Sequence, residues 1–206
     1  MLTKEQIEQY LKEMDERLAA EGLTGEIVLC GGAVMAYVYD ARPSTKDIDA
    51  LFAPTQALRK IAAEMAQEHH LESDWFNDAA KGFIDTSKMK FVEVSRLGAL
   101  VVKRPDDEAM LAMKLTSARE DSKDAADAVF LIRRLGISNL DELYDIMERN
   151  IPAQRLTPVS GFFAEEMLNR ANKQRAEDET KGNEPAIQTH RKSAEPRHGA
   201  RRSSGY

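Results

Sequence analysis

Apolar residues recur at helical spacing through the first twenty positions of the chain. Thr3 and Gln6 stand in the positions of a capping box, which indicates where this helix begins. A short run rich in β-forming side chains follows at residues 26–30 and predicts a buried strand. The apolar face of the first helix consists of Ile7, Tyr10, Leu11, Met14 and Leu18.

The middle of the chain contains segments with helical spacing of apolar residues and segments with the alternation typical of strands. Gly31 and Gly32 turn the chain, residues 33–39 predict a short helix, and Pro43 favours a loop. Residues 46–53 alternate polar and apolar side chains, which is typical of a strand with one buried face. Pro54 opens a helix, residues 75–84 predict a loop or short helices, and residues 91–95 and 99–102 predict a β-hairpin.

Helical periodicity dominates the second half. We expect helices over residues 105–119, 123–135, 139–148 and 157–170, with approximate ends. From residue 171 the periodicity disappears, so residues 171–206 are expected to form a disordered basic tail. The predicted class is α+β, with a small mixed sheet flanked by helices in residues 1–104. Residues 105–170 are expected to pack on this core as part of the same compact unit.

Charge and composition limit the function classes. The net charge of −6 argues against nonspecific nucleic-acid binding by the whole surface. From residue 171 onward the net charge is +3, which leaves −9 for residues 1–170, so the tail either contacts RNA or is simply solvated. Apolar runs are too short to cross a membrane, no secretory signal is visible, and the single cysteine fits a reducing compartment. We therefore expect a cytoplasmic protein with no membrane partner.

Asp47 and Asp49 are the strongest candidates for chemistry. One residue separates them on a predicted strand, so both side chains project from the same face. Two carboxylates this close repel each other unless a cation lies between them, and oxygen ligands of this kind suit Mg²⁺ or Mn²⁺. An isolated Asp-x-Asp is most often a polar strand face, so the pair needs support from its surroundings.

Gly31 and Gly32 supply that support. Glycine permits a backbone turn that a Cβ would bar, and the free amides of such a turn can face a phosphate. The short helix that follows adds the positive end of its dipole. A glycine pair alone is explained by a turn, but together with the aspartates it gives the order of strand, Gly-Gly, helix, loop and Asp-x-Asp strand.

This order resembles that of the nucleotidyltransferase superfamily, which includes kanamycin nucleotidyltransferase and DNA polymerase β. The segments Gly-Gly-Ala and Arg-Pro-Ser-Thr-Lys-Asp-Ile-Asp are similar to a branch of small bacterial nucleotidyltransferases related to the abortive-infection toxins of toxin–antitoxin systems. The resemblance implies a nucleotidyltransferase fold in which Asp47 and Asp49 hold Mg²⁺ or Mn²⁺. It also implies that the glycine turn contacts the triphosphate, with further nucleotide-binding candidates in Ser44, Thr45 and Lys46.

The resemblance extends to the predicted helices of the second half. Lys114 has apolar neighbours, and a lysine placed so deep needs an anionic partner. A triphosphate or an aspartate cluster would serve, and the alternative is a structural lysine with a buried stem. Asp124 and Asp127 share a helical face as an acidic motif, or are simply acids favoured at a helix start.

A third carboxylate is the least defined part of the expected site. The superfamily often supplies it from a strand that follows the Asp-x-Asp strand, and Glu93 is the best-placed candidate, ahead of Asp85. Arg42 and Lys46 are second-tier candidates for phosphate contacts. Cys30 has no paired histidine, so we expect a buried small side chain rather than a nucleophile.

The implied reaction transfers a nucleoside monophosphate from a nucleoside triphosphate to a hydroxyl acceptor and releases pyrophosphate. By resemblance the acceptor is the 3′ end of a tRNA, a protein side chain or a small molecule, and an antitoxin protein is an expected partner. Because the third carboxylate is uncertain, one alternative is a catalytically impaired binding protein with the same fold. A glycosyltransferase is a further alternative, although the chain looks short for one.

Overall fold

A mixed five-stranded sheet with helices packed around it organises the chain as an α+β fold. The computed structural model describes residues 1–82, 84–117 and 122–182. The strands are β1 (Leu2–Thr3), β2 (Gly25–Leu29), β3 (Ser44–Thr45), β4 (Ile48–Ala53), β5 (Phe76–Asn77), β6 (Phe91–Arg96) and β7 (Leu100–Pro105). The helices are α1 (Lys4–Ala20), α2 (Gly31–Tyr37), α3 (Thr55–Glu68), α4 (Asp107–Ser117), α5 (Ser122–Leu135), α6 (Leu140–Asn150) and α7 (Pro158–Gly182), and short 3₁₀ helices span Ala79–Gly82 and Ala153–Arg155.

Helix α1 begins and ends where the sequence predicts. The Thr3 hydroxyl accepts from the Gln6 amide, and the Gln6 side chain accepts from the Thr3 amide, which completes the capping box. Beyond the helix, Gly22 adopts a φ of +68°, a conformation that suits glycine. All five residues of the predicted apolar face are buried.

The sheet has the strand order β5-β4-β2-β7-β6. Strand β2 lies at its centre, antiparallel to β4 and parallel to β7, and β6 and β7 form the predicted hairpin. Alternation along the strands gives the sheet two distinct faces. Ile27 and Leu29 belong to the main core that α1 and α3 also build, while Val28 and Cys30 lie on the opposite face with Asp49.

A second, two-stranded sheet joins the start of the chain to the segment before Asp47. Leu2 pairs with Thr45, and Thr3 pairs with Ser44, in an antiparallel ladder. Leu2 is buried in the main core, so it anchors this ladder by apolar contact as well as by hydrogen bonds. Two-residue strands have no periodicity to detect, and the sequence does not predict either of them.

Strand β5 corrects the prediction for residues 75–84. A loop or short helices were expected there, and the 3₁₀ helix Ala79–Gly82 agrees, but Phe76 and Asn77 add a parallel strand to the edge of the sheet. Tertiary contacts hold this strand in place. Trp75 donates from Nε1 to the Ala62 carbonyl at 3.0 Å, and the Phe76 ring lies 4.6 Å from that of Phe52, centroid to centroid.

Helix α7 corrects the prediction for the tail. Disorder was expected from residue 171, but the helix continues to Gly182, and residues 183–206 lie outside the described ranges. Ala171 is buried, and Arg175 donates to the carbonyls of Ile132 and Ile137 at 3.1 and 2.7 Å. These hydrogen bonds give acceptor carbonyls near the end of α5 a donor. Because the contacts are polar, the sequence of this part of α7 shows no apolar periodicity. Within the described ranges no helix, α7 included, combines the length and apolar character needed to span a bilayer.

Asp15 on α1 holds the turn of the β6–β7 hairpin. Its carboxylate accepts from the amides of Gly98, Ala99 and Leu100 at 3.3, 2.6 and 2.7 Å. We expect Asp15→Ala to lower the free energy of unfolding by about 1–3 kcal/mol, because partly buried amides lose their acceptor. Urea denaturation measures the change, with the exposed neighbour substitution Glu16→Ala as control. Equal stabilities of the two variants would contradict this role.

Candidate functional site

A cavity of about 690 Å³ opens beside the end of β2 and the start of β4. Its volume is within the range of small-molecule sites. All predicted site residues except Glu93 and Asp127 line it. The lining residues from the prediction are Gly31, Gly32, Ser44, Thr45, Lys46, Asp47, Asp49, Lys114 and Asp124.

Gly31 and Gly32 are the first residues of α2, which begins two residues earlier than predicted, and they form the turn between β2 and this helix. This glycine turn contacts the carboxylate of Asp49. Gly31 adopts a φ of +54°, which a residue with a Cβ rarely takes. A Cβ built on Gly31 would lie 3.3 Å from Oδ2 of Asp49, so that carboxylate rests against the turn. The Cys30 amide also donates to the Asp49 carbonyl at 2.8 Å. The turn is therefore joined to Asp49 by a backbone hydrogen bond and by the packing of the Asp49 side chain against Gly31.

Asp47 and Asp49 flank a buried anchor. Ile48, the first residue of β4, is 1% exposed and belongs to the main core, whereas the aspartates on either side are half-buried and line the cavity. This is the alternation that the sequence predicts. Asp49 thus projects from β4, and Asp47 precedes the strand by one residue, because β4 begins at Ile48 rather than at the predicted residue 46. Both carboxylates line the cavity.

Asn77 occupies the neighbouring position of the sheet. Strand β5 pairs with β4 so that Asn77 is opposite Asp49, and both residues line the cavity. The Asn77 side chain accepts from the Ala79 amide at 2.9 Å and donates to the Asp74 carbonyl at 3.2 Å. The residue of β5 that lies beside Asp49 is therefore an amide, and its side chain also accepts from the first residue of the 3₁₀ helix.

Glu93 does not reach the cavity, which corrects its expected role as the third carboxylate. It lies on β6, three strands from β4, and a spacing of about 4.8 Å between strands separates it from Asp49 by roughly 14 Å. Its carboxylate is bound by Arg96 at 2.5 Å. The second candidate, Asp85, accepts from the Ser87 amide at 3.0 Å and does not line the cavity either.

A buried cluster of charges closes the opposite wall. Lys114 Nζ lies 2.6 Å from Asp124 Oδ1 and 2.7 Å from Asp127 Oδ2, so its anionic partners are the predicted acidic motif. Asp127 is 4% exposed and lies behind the cavity rather than on its surface. Arg42 Nη1 lies 3.6 Å from the same Asp127 oxygen. Two cations and two carboxylates thus balance one another at this wall.

Helices α4 and α5 are held at their far ends by a second polar cluster. Tyr39, just after α2, donates to Asp107 at 2.7 Å, and Arg134 of α5 donates to the same carboxylate at 2.8 Å. Burial alone would raise the pKa of Asp107, but hydrogen bonds from Tyr39, Arg134 and Arg104 outweigh it and lower that pKa. The cluster fixes the start of the helix that carries Lys114 relative to the glycine turn.

Several lining residues were not predicted. Met110, Met113 and Ser117 share a face of α4 with Lys114, and this helical spacing was a signal available in the sequence. Asn77 reaches the cavity through the pairing of β5 with β4, which no local pattern reveals, and Asp74 lines it from the segment just before β5. The remaining unpredicted lining residues are Cys30, Ala79, Ala80 and Lys123, while Arg42 was a second-tier candidate.

Cys30 is the buried small side chain that was expected, at 1% exposure. Burial, reinforced by the negative charge of Asp49, raises the pKa of its thiol far above the ordinary 9.0. We expect alkylation by iodoacetamide at pH 8 to be about a hundredfold slower in the folded protein than in urea. Whole-protein mass spectrometry reports the rate directly, because the chain has 1 cysteine. Equal rates in both states would contradict the buried placement.

Outside the cavity, Glu13, Glu68 and His69 place possible metal-ligating atoms within 4.8 Å of one another. Arg17 already binds these carboxylates, at 2.6 Å from Glu13 and 2.5 Å from Glu68. His69 also contacts Glu13, at 2.8 Å. An ion-pair network between α1 and α3 accounts for this cluster without a metal.

The cavity therefore presents charges of both signs. Asp47 and Asp49 line it, and so do Lys114 and Arg42. Carboxylate oxygens can hold a hard divalent cation, and ammonium and guanidinium groups can hold phosphate oxygens. The chain matches no protein-family model, no curated protein and no solved structure.

Proposed function

We propose that this chain is a metal-dependent nucleotidyltransferase with a nucleotidyltransferase fold. One observation carries the proposal. A glycine turn, an Asp-x-Asp strand and a buried lysine, far apart in the sequence, line a single cavity of about 690 Å³. The resemblance of the sequence to nucleotidyltransferases predicts the same grouping, and the geometry of the cavity agrees with it.

The donor set of the cavity fits Mg²⁺ or Mn²⁺. Asp47 and Asp49 offer carboxylate oxygen atoms to the cavity, and oxygen ligands of this kind suit a hard cation. Such a cation neutralises triphosphate charge and activates the attacking oxygen when bound. The residues proposed to hold it are Asp47 and Asp49, with the remaining ligands supplied by phosphates and water.

The proposed reaction forms one bond and breaks one. The acceptor hydroxyl oxygen bonds to the α-phosphorus, and the bond from that phosphorus to the bridging oxygen of the β-phosphate breaks. Pyrophosphate leaves with the electron pair, and the hydroxyl proton passes to a cavity carboxylate and then to water. Lys114 lines the cavity and offsets negative charge on the departing phosphates, while the amides of Gly31 and Gly32 with Ser44, Thr45 and Lys46 orient the triphosphate.

A labelling experiment tests the proposal. The full chain is incubated with Mg²⁺ and each of the four α-³²P-labelled nucleoside triphosphates, and the acceptor is total tRNA, a protein lysate or a panel of small hydroxyl compounds. Transfer of label to one of these acceptors, with stoichiometric pyrophosphate, is the expected result. Absence of label and of pyrophosphate with every nucleotide and acceptor would overturn the proposal.

A catalytically impaired binding protein is the second candidate, and Asn77 favours it. The position beside Asp49 on the adjacent strand is an amide, so this strand supplies no third carboxylate. A protein of this kind would bind Mg²⁺ and nucleotide without turnover and would act through a partner such as an antitoxin. Calorimetry that detects Mg²⁺-dependent nucleotide binding, in the absence of any pyrophosphate release, would favour this candidate over the enzyme.

A further inference from the structure

Gly32 is packed by the protein itself. A Cβ built on Gly32 would lie 1.8 Å from Arg42 Nη2 and 2.3 Å from Thr45 Oγ1. Neither distance is possible for a real side chain, so the space that glycine leaves is filled by the Arg42 guanidinium and the Thr45 hydroxyl. Arg42 therefore packs directly against Gly32, and we call this contact the seat of Arg42.

The seated guanidinium keeps unused hydrogen-bonding capacity. Arg42 Nε is buried and has no hydrogen-bond partner within the described part of the chain. An Asp127 carboxylate oxygen is 3.6 Å from Nη1 and is also contacted by Lys114. A buried donor without an acceptor is costly, so the long contact with Asp127 does not by itself account for the position of this guanidinium.

We propose that Arg42, seated on Gly32, binds the β- and γ-phosphates of the nucleotide, and that position 32 is glycine in order to seat it. This inference rests on the proposed function and assigns the pyrophosphate end of the substrate to a specific side chain. Arg42 lines the cavity and its side chain is 17% exposed, so an anion can reach it. A phosphate in the cavity can accept charge-assisted hydrogen bonds from the exposed part of the guanidinium.

Arginine suits this position better than lysine. Its planar group presents parallel donors that match two oxygens of a phosphate, while an ammonium offers a single point charge. The Arg42 guanidinium also occupies the space that a Cβ on Gly32 would need. A purely structural arginine, tied only to Asp127, would contribute to stability and leave phosphate affinity unchanged.

Titration calorimetry with inorganic tripolyphosphate and Mg²⁺ tests the assignment on the full chain. We expect Arg42→Gln to weaken binding by about tenfold to a hundredfold, in line with the loss of charge-assisted hydrogen bonds. Arg42→Lys should recover only a small part of the affinity. Arg96→Gln, which removes the same charge from an exposed pair outside the cavity, should bind as the unaltered protein does.

Coupling between positions 32 and 42 is the sharper test. Gly32→Ala should weaken tripolyphosphate binding as much as Arg42→Gln does, because the added methyl group displaces the guanidinium. The double variant Gly32→Ala/Arg42→Gln should then be no weaker than either single variant, which is a strongly non-additive cycle. Additive losses would overturn the role of Gly32 as a seat, and circular dichroism melting verifies that each variant is folded.

The outcomes separate this inference from the proposed function. If the unaltered protein transfers label and Arg42→Gln binds tripolyphosphate within twofold of it, the assignment of Arg42 is overturned while the enzyme stands. If the unaltered protein neither transfers label nor binds tripolyphosphate, both are overturned. If it binds tripolyphosphate through Arg42 without transfer, the assignment stands and the enzyme does not.

Discussion

Asp49→Asn should reduce nucleotidyl transfer by at least about a hundredfold, and Asp47→Asn should do the same. The carboxylates are proposed to hold a cation whose charge stabilisation is worth several kcal/mol, which corresponds to about two to three powers of ten in rate. Asparagine keeps the shape of the side chain, and the backbone bond from Cys30 to the Asp49 carbonyl is untouched. Steady-state pyrophosphate release measures the loss, and urea denaturation verifies that the fold is retained.

Asp40→Asn is the matched control for this experiment. Asp40 precedes the same loop, is exposed and has a φ of +52°, a conformation that asparagine also tolerates. It does not line the cavity, so we expect unchanged transfer. Near-normal rates for both Asp47→Asn and Asp49→Asn would eliminate the carboxylate mechanism.

Lys114→Met should be the most destabilising single change in the cavity. It removes the cation between Asp124 and Asp127, whose side chains are 19% and 5% exposed, and leaves both carboxylates without their main partner. Breaking a buried ion pair from one side costs about 3–5 kcal/mol, and the nearby Arg42 places the expectation at about 3 kcal/mol. Urea denaturation at neutral pH measures this loss.

Two further variants isolate the cause. Asp127→Asn added to Lys114→Met should restore part of the stability, because it removes the most buried of the stranded charges. Lys60→Met breaks an exposed pair with Glu21 and should change stability little. A Lys114→Met protein as stable as Lys60→Met would show that the cluster contributes nothing to the fold.

Local chemistry could be predicted from the sequence, but the order of strands that lie far apart in the chain could not. The glycine turn and the alternation around Ile48 are properties of a few consecutive residues, so the pattern alone places Gly31, Asp47 and Asp49. Glu93 has the right face of the sheet but lies three strands away. Strand order is set by long-range packing, which also brings Asn77 rather than an acid beside Asp49.

The helical half shows the same division. The pairing of Lys114 with the acidic motif follows from burial, because a deep cation requires an anion. The extension of α7 to Gly182 depends on Arg175 binding carbonyls at the end of α5. A polar contact of this kind leaves no apolar periodicity, so composition alone suggested a tail where a helix continues.

The pairing of Leu2 and Thr3 with Thr45 and Ser44 has a practical consequence for anyone who produces this protein. A purification tag or fusion partner attached ahead of Met1 begins one residue from a strand whose partner lines the cavity. Met1 is 69% exposed, so a short extension has room, but a bulky one can pull on the ladder. Affinities measured on such a fusion would describe the fusion as much as the unaltered chain, so the tag should be cleaved before assay.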